Sequence, residues 1–484
     1  MQVSDLNPKE VWSHFVELNK VPRPSKKEQK VIKFMLEFGK RLGLPTERDE
    51  VGNVLITKPA TSGMEDRKTV VLQSHLDMVH QKNSDTVFDF DNDPINSYID
   101  GEWVTADGTT LGADNGIAVA ASMAVLESKT IVHPAIEAIF TIDEETGMTG
   151  AFALKPGWLK GEIMLNMDYE DEGELCIGCA GGIDNDVTLP ITREAAPVGS
   201  FGVALNLTGL KGGHSGVEIH LQRGNANKAM ARLVAELSAK HSFRLSEFDG
   251  GSLRNAIPRE AFLTGVVPND QKEAFHKTVE AFAETLAFEL RKTDPNLKLE
   301  AVATEMPVSV LTSFSQFSLT KSVNAFPNGV YKWSNDMEGL VETSTNLARI
   351  KTHSENIQIQ ALTRGSLDSG KLDLANSIKD LFELAGAEVD NRGDYPGWNP
   401  NPDSEILAIA GDIYNNLFDK IPEIKAIHAG LECGIIMSSQ TQLDSVSFGP
   451  TIRNPHSPDE KINIATVEKF WTYLLELLKR TPTK

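Results

Sequence analysis

Residues 135–147 read AIEAIFTIDEETG. An apolar run rich in β-branched and aromatic residues, closed by Thr146 and Gly147, predicts a buried strand. It ends in two adjacent carboxylates, Glu144 and Glu145. In an open α/β sheet, functional groups gather outside the carboxyl ends of the strands. That places both acids where such a fold does its chemistry.

The flanking sequence repeats the pattern. TVVLQSHLD (69–77) is a second buried strand, ending at His75 with Asp77 two residues on. LGADNG (111–116) sets Asp114 just before the apolar helix DNGIAVAASMAVLES (114–128), and EIMLNMDYE (162–170) is a strand leading to Asp168. NVLIT (53–57) adds another strand. SKKEQKVIKFMLEFGKRLG (25–43) is an amphipathic helix with Val31, Met35, Phe38 and Leu42 on one stripe, and Ser25 and Glu28 at capping-box spacing. Strands alternating with helices predict an α/β fold, a mixed and mostly parallel sheet flanked by helices.

At 484 residues the chain is too long for one ordinary core. From about residue 183 the texture changes to alternating, strand-like runs: NDVTLPITREAAPVGSFGVALNLTGL, LVETSTNLARI and NIQIQALTRGS. Three helical stretches accompany them, NANKAMARLVAELSAK, KEAFHKTVEAFAETLAFELRK and LDLANSIKDLFELAG. Residues 183–395 are therefore expected to form an inserted α+β domain with two similar halves. The turn-rich NRGDYPGWNPNPDSE (391–405) ends it. Residues 396–484, with helices SEILAIAGDIYNNLF and ATVEKFWTYLLELLKR and the loop HAGLECG, are expected to rejoin residues 1–182.

The formal net charge of −21 repels phosphate backbones and argues against a nucleic-acid partner. No apolar run reaches the length of a membrane span, and MQVSDLNPKEVW lacks the layout of a secretory signal. Three cysteines fit a reducing cytoplasm. Cys176 and Cys179 form a C-x-x-C without the second pair a zinc ribbon needs, so they read as small buried residues.

Each acid or histidine alone has an ordinary reading: a surface pair for His75 and Asp77, a helix cap for Asp114, a solvated pair for Glu144 and Glu145. Their arrival at strand ends from four segments is more specific. One cation does not need so many acids, whereas two close ions can use them, with a carboxylate such as Asp114 bridging. Glu145 then serves as a ligand, and Glu144 as a base that moves a proton from water to a leaving amine.

SHLDMV, LGADNG, IDEETG, LNMD, LKGGHSG and FGPTIRNPHSPDE, in this order, resemble the motifs of the dizinc aminoacylase and carboxypeptidase family of metallopeptidases. KVPRPSKKE, GGSLRNAIPREA and DSVSFGPTIRNPHSPDE are most similar to its bacterial Xaa-His dipeptidase branch. The resemblance implies two zinc ions, or manganese or cobalt on the same donors. It implies His75 and Asp168 on one ion, Glu145 and His456 on the other, Asp114 as the bridge, Asp77 orienting His75, and Glu144 as general base. His456, within NPHSPDE, would by itself read as a loop histidine without a partner. The resemblance further implies a cis peptide after Asp114 and a lid formed by the inserted domain. There, His214 of GGHSG would stabilise an oxyanion. Asn255 and Arg364, with Glu432 and Gly434 of HAGLECG, would hold the substrate's carboxylate. For Arg364 a surface ion pair is the plainer reading. The implied activity is hydrolysis of dipeptides, Xaa-His dipeptides such as β-alanyl-histidine in particular. A tripeptide aminopeptidase or an N-acyl amino acid deacylase of the same family is the alternative, and an inactive binding protein of the same fold a more distant one. A homodimer through the lid domain is allowed, with no membrane partner.

Overall fold

Val70–His75 and Ile136–Thr141 are wholly buried, as two-sided parallel strands must be. They pair in parallel, His75 opposite Thr141, and Val70–His75 pairs in parallel with Ile163–Asn166 on its other side. Asp444–Ser447 continues the parallel run beside Ile163–Asn166. The computed structural model describes residues 2–484. In it these four strands are the centre of an eight-stranded sheet. Thr46–Arg48 and Val54–Lys58 lie at one side, Glu174–Cys179 and Glu423–Ile427 at the other. The flanking pairs Thr46–Arg48 with Val54–Lys58, and Asp444–Ser447 with Glu174–Cys179, are antiparallel. The sheet is thus mixed, with its parallel part in the middle and helices around it.

The chain divides into two compact units. Met1–Gly178, Pro400–Ala426 and Leu431–Lys484 form the first, Cys179–Asn399 and Ile427–Gly430 the second. The first unit also holds a small antiparallel sheet of Ile452–Arg453, Lys461–Asn463, Trp103–Ala106 and Ser97–Asp100. Its most buried helix is Ala113–Glu127, whose run of alanines and branched residues allows burial on every side. Two expectations for this unit need correction. The helix that follows Ser25 begins only at Gln29, and no capping box forms, because the Ser25 hydroxyl donates to Asp77 Oδ2 (2.8 Å). HAGLECG is not all loop, since a helix starts within it at Glu432.

The second unit is built on a nine-stranded antiparallel sheet that falls into two βαββαβ halves. One comprises strands Ser200–Thr208, Arg244–Gly250, Ala261–Pro268 and Lys298–Thr304 with helices Ala226–His241 and Lys272–Glu289. The other comprises Gly181–Pro190, Val341–Thr352, Asn356–Gly365 and Glu388–Tyr395 with helices Ser313–Ala325 and Asp368–Leu384. In each half the spatial order is fourth, first, third, second. The halves meet where Asp249 and Gly250 pair with Lys351 and Ile350. The first half is inserted between the opening strand and first helix of the second. One apolar cluster, including Leu205, Phe248, Phe275, Ile359 and Phe382, runs under both.

Candidate functional site

The four central parallel strands of the first unit deliver the chemistry. His75 ends one, Glu144 and Glu145 follow the next, and Asp168 lies two residues beyond the third. Asp444–Ser447, the fourth, leads to the loop that carries His456. Asp114 comes from a kink at the start of Ala113–Glu127, where the Asp114–Asn115 peptide is cis.

These side chains converge. His75 Nε2 lies 3.1 Å from Asp114 Oδ1 and 3.4 Å from Asp168 Oδ1. His456 Nε2 lies 3.3 Å from Asp114 Oδ2 and 2.9 Å from Glu145 Oε2. Asp114 therefore turns one oxygen to each histidine. The groups His75–Asp114–Asp168, His75–Glu144–Glu145 and Asp114–Glu145–His456 each bring their ligand atoms within 4.8 Å of one another.

The donor set fits divalent ions. Around a tetrahedral zinc with bonds of about 2.0–2.1 Å, neighbouring ligand atoms sit roughly 3.3 Å apart, close to the separations found here. Two buried oxygens, Asp168 Oδ1 and Glu145 Oε1, have no hydrogen-bond partner among the described residues. A buried carboxylate oxygen left so is costly unless a cation takes it.

Burial and close opposite charges shift the protonation of these groups. Burial disfavours charge on His75, yet Asp168, Asp114 and Asp77 hold its pKa well above the ordinary value. Hydrogen bonds to Asp114 and Glu145 raise that of His456 to about 11. Burial lifts Asp168 to about 6, and raises Glu144 and Glu145 as well. Asp114 is buried too, but its two histidine partners hold its pKa down.

Asp77 organises the cluster from behind. It is fully buried, and the His75 Nδ1 edge faces its carbonyl at 3.2 Å and its Oδ1 at 3.4 Å. That leaves Nε2 directed at Asp114 and Asp168. The same carboxylate accepts from the amides of Glu144 (3.0 Å) and Glu145 (3.3 Å), so one residue fixes two strand ends.

The second unit brings the expected lid residues into a cluster of its own. Gly213–His214 pairs with Ala256–Ile257, and the Ser215 amide donates to the Asn255 carbonyl at 2.8 Å. A Cβ at Gly216 would lie 2.1 Å from the His428 carbonyl, 2.9 Å from His214 Cε1 and 3.2 Å from Arg364 Nε, so only glycine admits this packing. His214 Nδ1 accepts from the Gly216 and Val217 amides, both at 3.1 Å. The ring proton is therefore on Nε2, which is left as a donor. Burial and Arg364 lower the His214 pKa, keeping the ring neutral. Arg364 is buried and donates to the Tyr395 hydroxyl at 3.0 Å. It has no carboxylate partner among the described residues, so the surface ion pair is not what the structure contains.

Glu432 and Gly434 lie elsewhere. Both are in the first turn of Glu432–Ser439, in the first unit. The Glu432 carboxylate is turned inward and accepts from Gln73 Nε2 (2.7 Å) and Thr141 Oγ1 (2.6 Å), side chains at the ends of two central strands. Burial raises its pKa to about 8. It ties together two of the strands that carry the acids and histidines.

Comparison with known proteins gives the family. Over 483 residues, all of both chains, the sequence is 46% identical to the cytosol non-specific dipeptidase of Escherichia coli K12. The chain belongs to the M20 family of peptidases. Residues 205–294 of this M20 chain match the model of the peptidase dimerisation domain. The fold superposes on the crystal structure of aminoacylhistidine dipeptidase from Vibrio alginolyticus with a TM-score of 0.95, 48% identity, and 100% and 99% of the two chains covered. The aminopeptidase PepT of Bacillus cereus shares the fold at 16% identity, with a TM-score of 0.58 over 98% of each chain. As an M20 peptidase the protein is a peptide hydrolase.

Three buried residues beside these clusters were not singled out from the sequence. Arg23 and Glu460 are buried against the segments that carry His75, Asp114 and His456. His428 sits in the lid cluster, its Nε2 2.7 Å from the Ser344 hydroxyl. The usable signals were slight: an arginine between prolines in VPRPS, and an acid four residues after His456.

Proposed function

We propose that this peptidase hydrolyses dipeptides, Xaa-His dipeptides such as β-alanyl-histidine among them, with two divalent ions held by His75, Asp114, Glu145, Asp168 and His456. Zinc suits these donors best, and manganese or cobalt can use them. The observation that carries the reading is Asp114, with one carboxylate oxygen toward each histidine. The E. coli and Vibrio relatives are both dipeptidases, one non-specific and one for aminoacylhistidine.

When bound, the metal pair supplies Lewis acidity and brings the pKa of its water to about 7. The protein does the rest. Asp77 keeps the His75 proton on Nδ1, so Nε2 is free to coordinate. Glu145 is engaged by His456, which leaves Glu144 to take the proton from the attacking water and return it to the departing nitrogen. His214 Nε2–H donates to the oxyanion. Arg364 and Asn255 take the peptide's terminal carboxylate, the guanidinium by a two-pronged bond.

Residues 205–294 support a homodimer through the second unit. No helix among the described residues is long and apolar enough to cross a membrane, and the three cysteines are buried, which fits a reducing cytoplasm. Glu144→Gln tests the mechanism. Dipeptide hydrolysis should fall about 10²–10⁴-fold, the usual contribution of a general base, while both metals stay bound. Unchanged hydrolysis would remove Glu144 from the reaction.

A further inference from the structure

Glu460 lies four residues after His456 and is 2% exposed. Its carboxylate accepts from four consecutive backbone amides. Oε2 takes Leu111 (2.7 Å) and Gly112 (2.9 Å), and Oε1 takes Ala113 (2.7 Å) and Asp114 (3.3 Å). The turn that presents these amides depends on Gly112, whose φ of +68° is left-handed and where a Cβ would meet Arg23 Nη2 at 2.5 Å. Successive amides wrapped in this way form an anion-binding concavity. Here the anion is a side chain of the same protein.

The other side of the turn is gripped by the opposite charge. Arg23, 1% exposed, donates from Nη2 to the Gly112 carbonyl (2.6 Å) and from Nη1 to the carbonyls of Leu76 and Asp77 (both 3.3 Å). The segments carrying His75, Asp114 and His456 are pinned to one another by this pair. His456 needs such support. Its side chain is 53% exposed and its backbone left-handed (φ +60°), in a loop between Ile452–Arg453 and Lys461–Asn463. Thr105 Oγ1 holds the Glu460 carbonyl at 2.8 Å and anchors the far end of that loop.

We infer that Glu460 is a positioning residue for the metal centre. By holding the amides of residues 111–114 it sets the Asp114 carboxylate against His456, with Arg23 as the opposing clamp. The inference rests on reading Asp114 and His456 as ligands of one ion. A merely structural carboxylate would weaken the whole unit and both ions alike. A positioning one weakens chiefly the ion shared by Asp114, Glu145 and His456.

The test uses the full-length protein, wild type, Glu460→Gln and Glu460→Asp, loaded with Zn²⁺ or Co²⁺. It measures ions retained against rising chelator, the visible spectrum of the Co²⁺ form, and the melting temperature of the metal-free form. Glutamine keeps the size but turns an amide toward N–H donors. One ion should be held as in wild type and the other about 10–100-fold more weakly, the usual effect of groups behind metal ligands. The Co²⁺ spectrum should change, and aspartate should recover part of the loss. Retention of both ions at wild-type affinity with an unchanged spectrum overturns the inference. So does equal weakening of both ions in step with a lower metal-free melting temperature. If the glutamine variant does not fold, the same criteria apply to Glu460→Asp. Wild-type protein that binds fewer than two ions would instead sink the metal reading itself.

Discussion

Asp114→Asn should separate a bridging carboxylate from an ordinary charged neighbour. Asp114 Oδ1 lies 3.1 Å from His75 Nε2, and Oδ2 lies 3.3 Å from His456 Nε2. Two dications about 3.5–4 Å apart repel by about 18 kcal/mol at an effective dielectric constant of roughly 20. A carboxylate sharing its single charge over two oxygens, each about 2 Å from one ion and about 4 Å from the other, would contribute roughly −25 kcal/mol on the same footing. Desolvation offsets most of these gross terms. The lost charge is nonetheless large beside the roughly 1.4 kcal/mol that makes a tenfold change in affinity. Asparagine keeps the volume and one acceptor oxygen, so the fold is retained while one ion loses its shared ligand. We expect no more than one ion per chain after dialysis. Hydrolysis should fall more than about 100-fold, since even groups behind ligands cost 10–100-fold. An ion present at 100 times its Kd stabilises by about 2.7 kcal/mol, or about 5 °C for a domain of this size. The variant should lack that increment. In chelator the two proteins should melt within about 2 °C of each other, because Glu145 and Asp168 still face the histidines. Two ions at wild-type affinity and an unchanged rate would refute the bridge.

Two further variants probe the second unit. Arg364→Ala should raise KM for dipeptides by about 10–100-fold, the equivalent of roughly 1.5–3 kcal/mol for hydrogen bonds to a charged group. It should also erase the preference for a free carboxylate over the C-terminal amide, and steady-state kinetics on the two substrates checks both. His428 is held neutral by burial and by Arg364, its pKa lowered to about 3. An unfolded histidine binds its proton near pH 6.5, so between about 6.5 and 3 the unfolded state holds more protons and stability falls as the pH drops. That loss approaches about 5 kcal/mol at the acid end, and His428→Asn should flatten it in denaturant titrations across this window. An acid limb identical to wild type would show that His428 does not titrate in this way.

What could be read in the sequence, and what could not, divides along one physical line. His75, Glu144, Glu145 and Asp168 stand at or just beyond apolar strand runs, so periodicity alone locates them at a sheet's carboxyl edge. The helix Ser313–Ala325 could not be seen that way. Its inward positions include Ser315, Gln316, Ser318, Thr320 and Ser322, a polar face satisfied by bonds such as Gln316 Nε2 to the Phe243 carbonyl. Nor could the interleaving of the two halves of the second unit, which depends on which strands pair rather than on what each strand is. The partners of Glu432 were hidden for a related reason. Resemblance alone implies a substrate-carboxylate loop there, and its carboxylate answers donors on Gln73 and Thr141, more than 290 positions away.

Arg23 and Glu460 show the limit most sharply. Both act on backbone groups of residues 76–77 and 111–114, and a backbone amide or carbonyl carries no residue identity. Side-chain pairs can be guessed from complementary types, whereas a carboxylate seated in four amides has a partner that every sequence offers at every position. The left-handed Gly112 is the one local trace of that seat. It follows that the acids and histidines of such a cluster are more legible than the frame holding them. The frame is also where substitutions far from the ligands in sequence would first disturb metal binding.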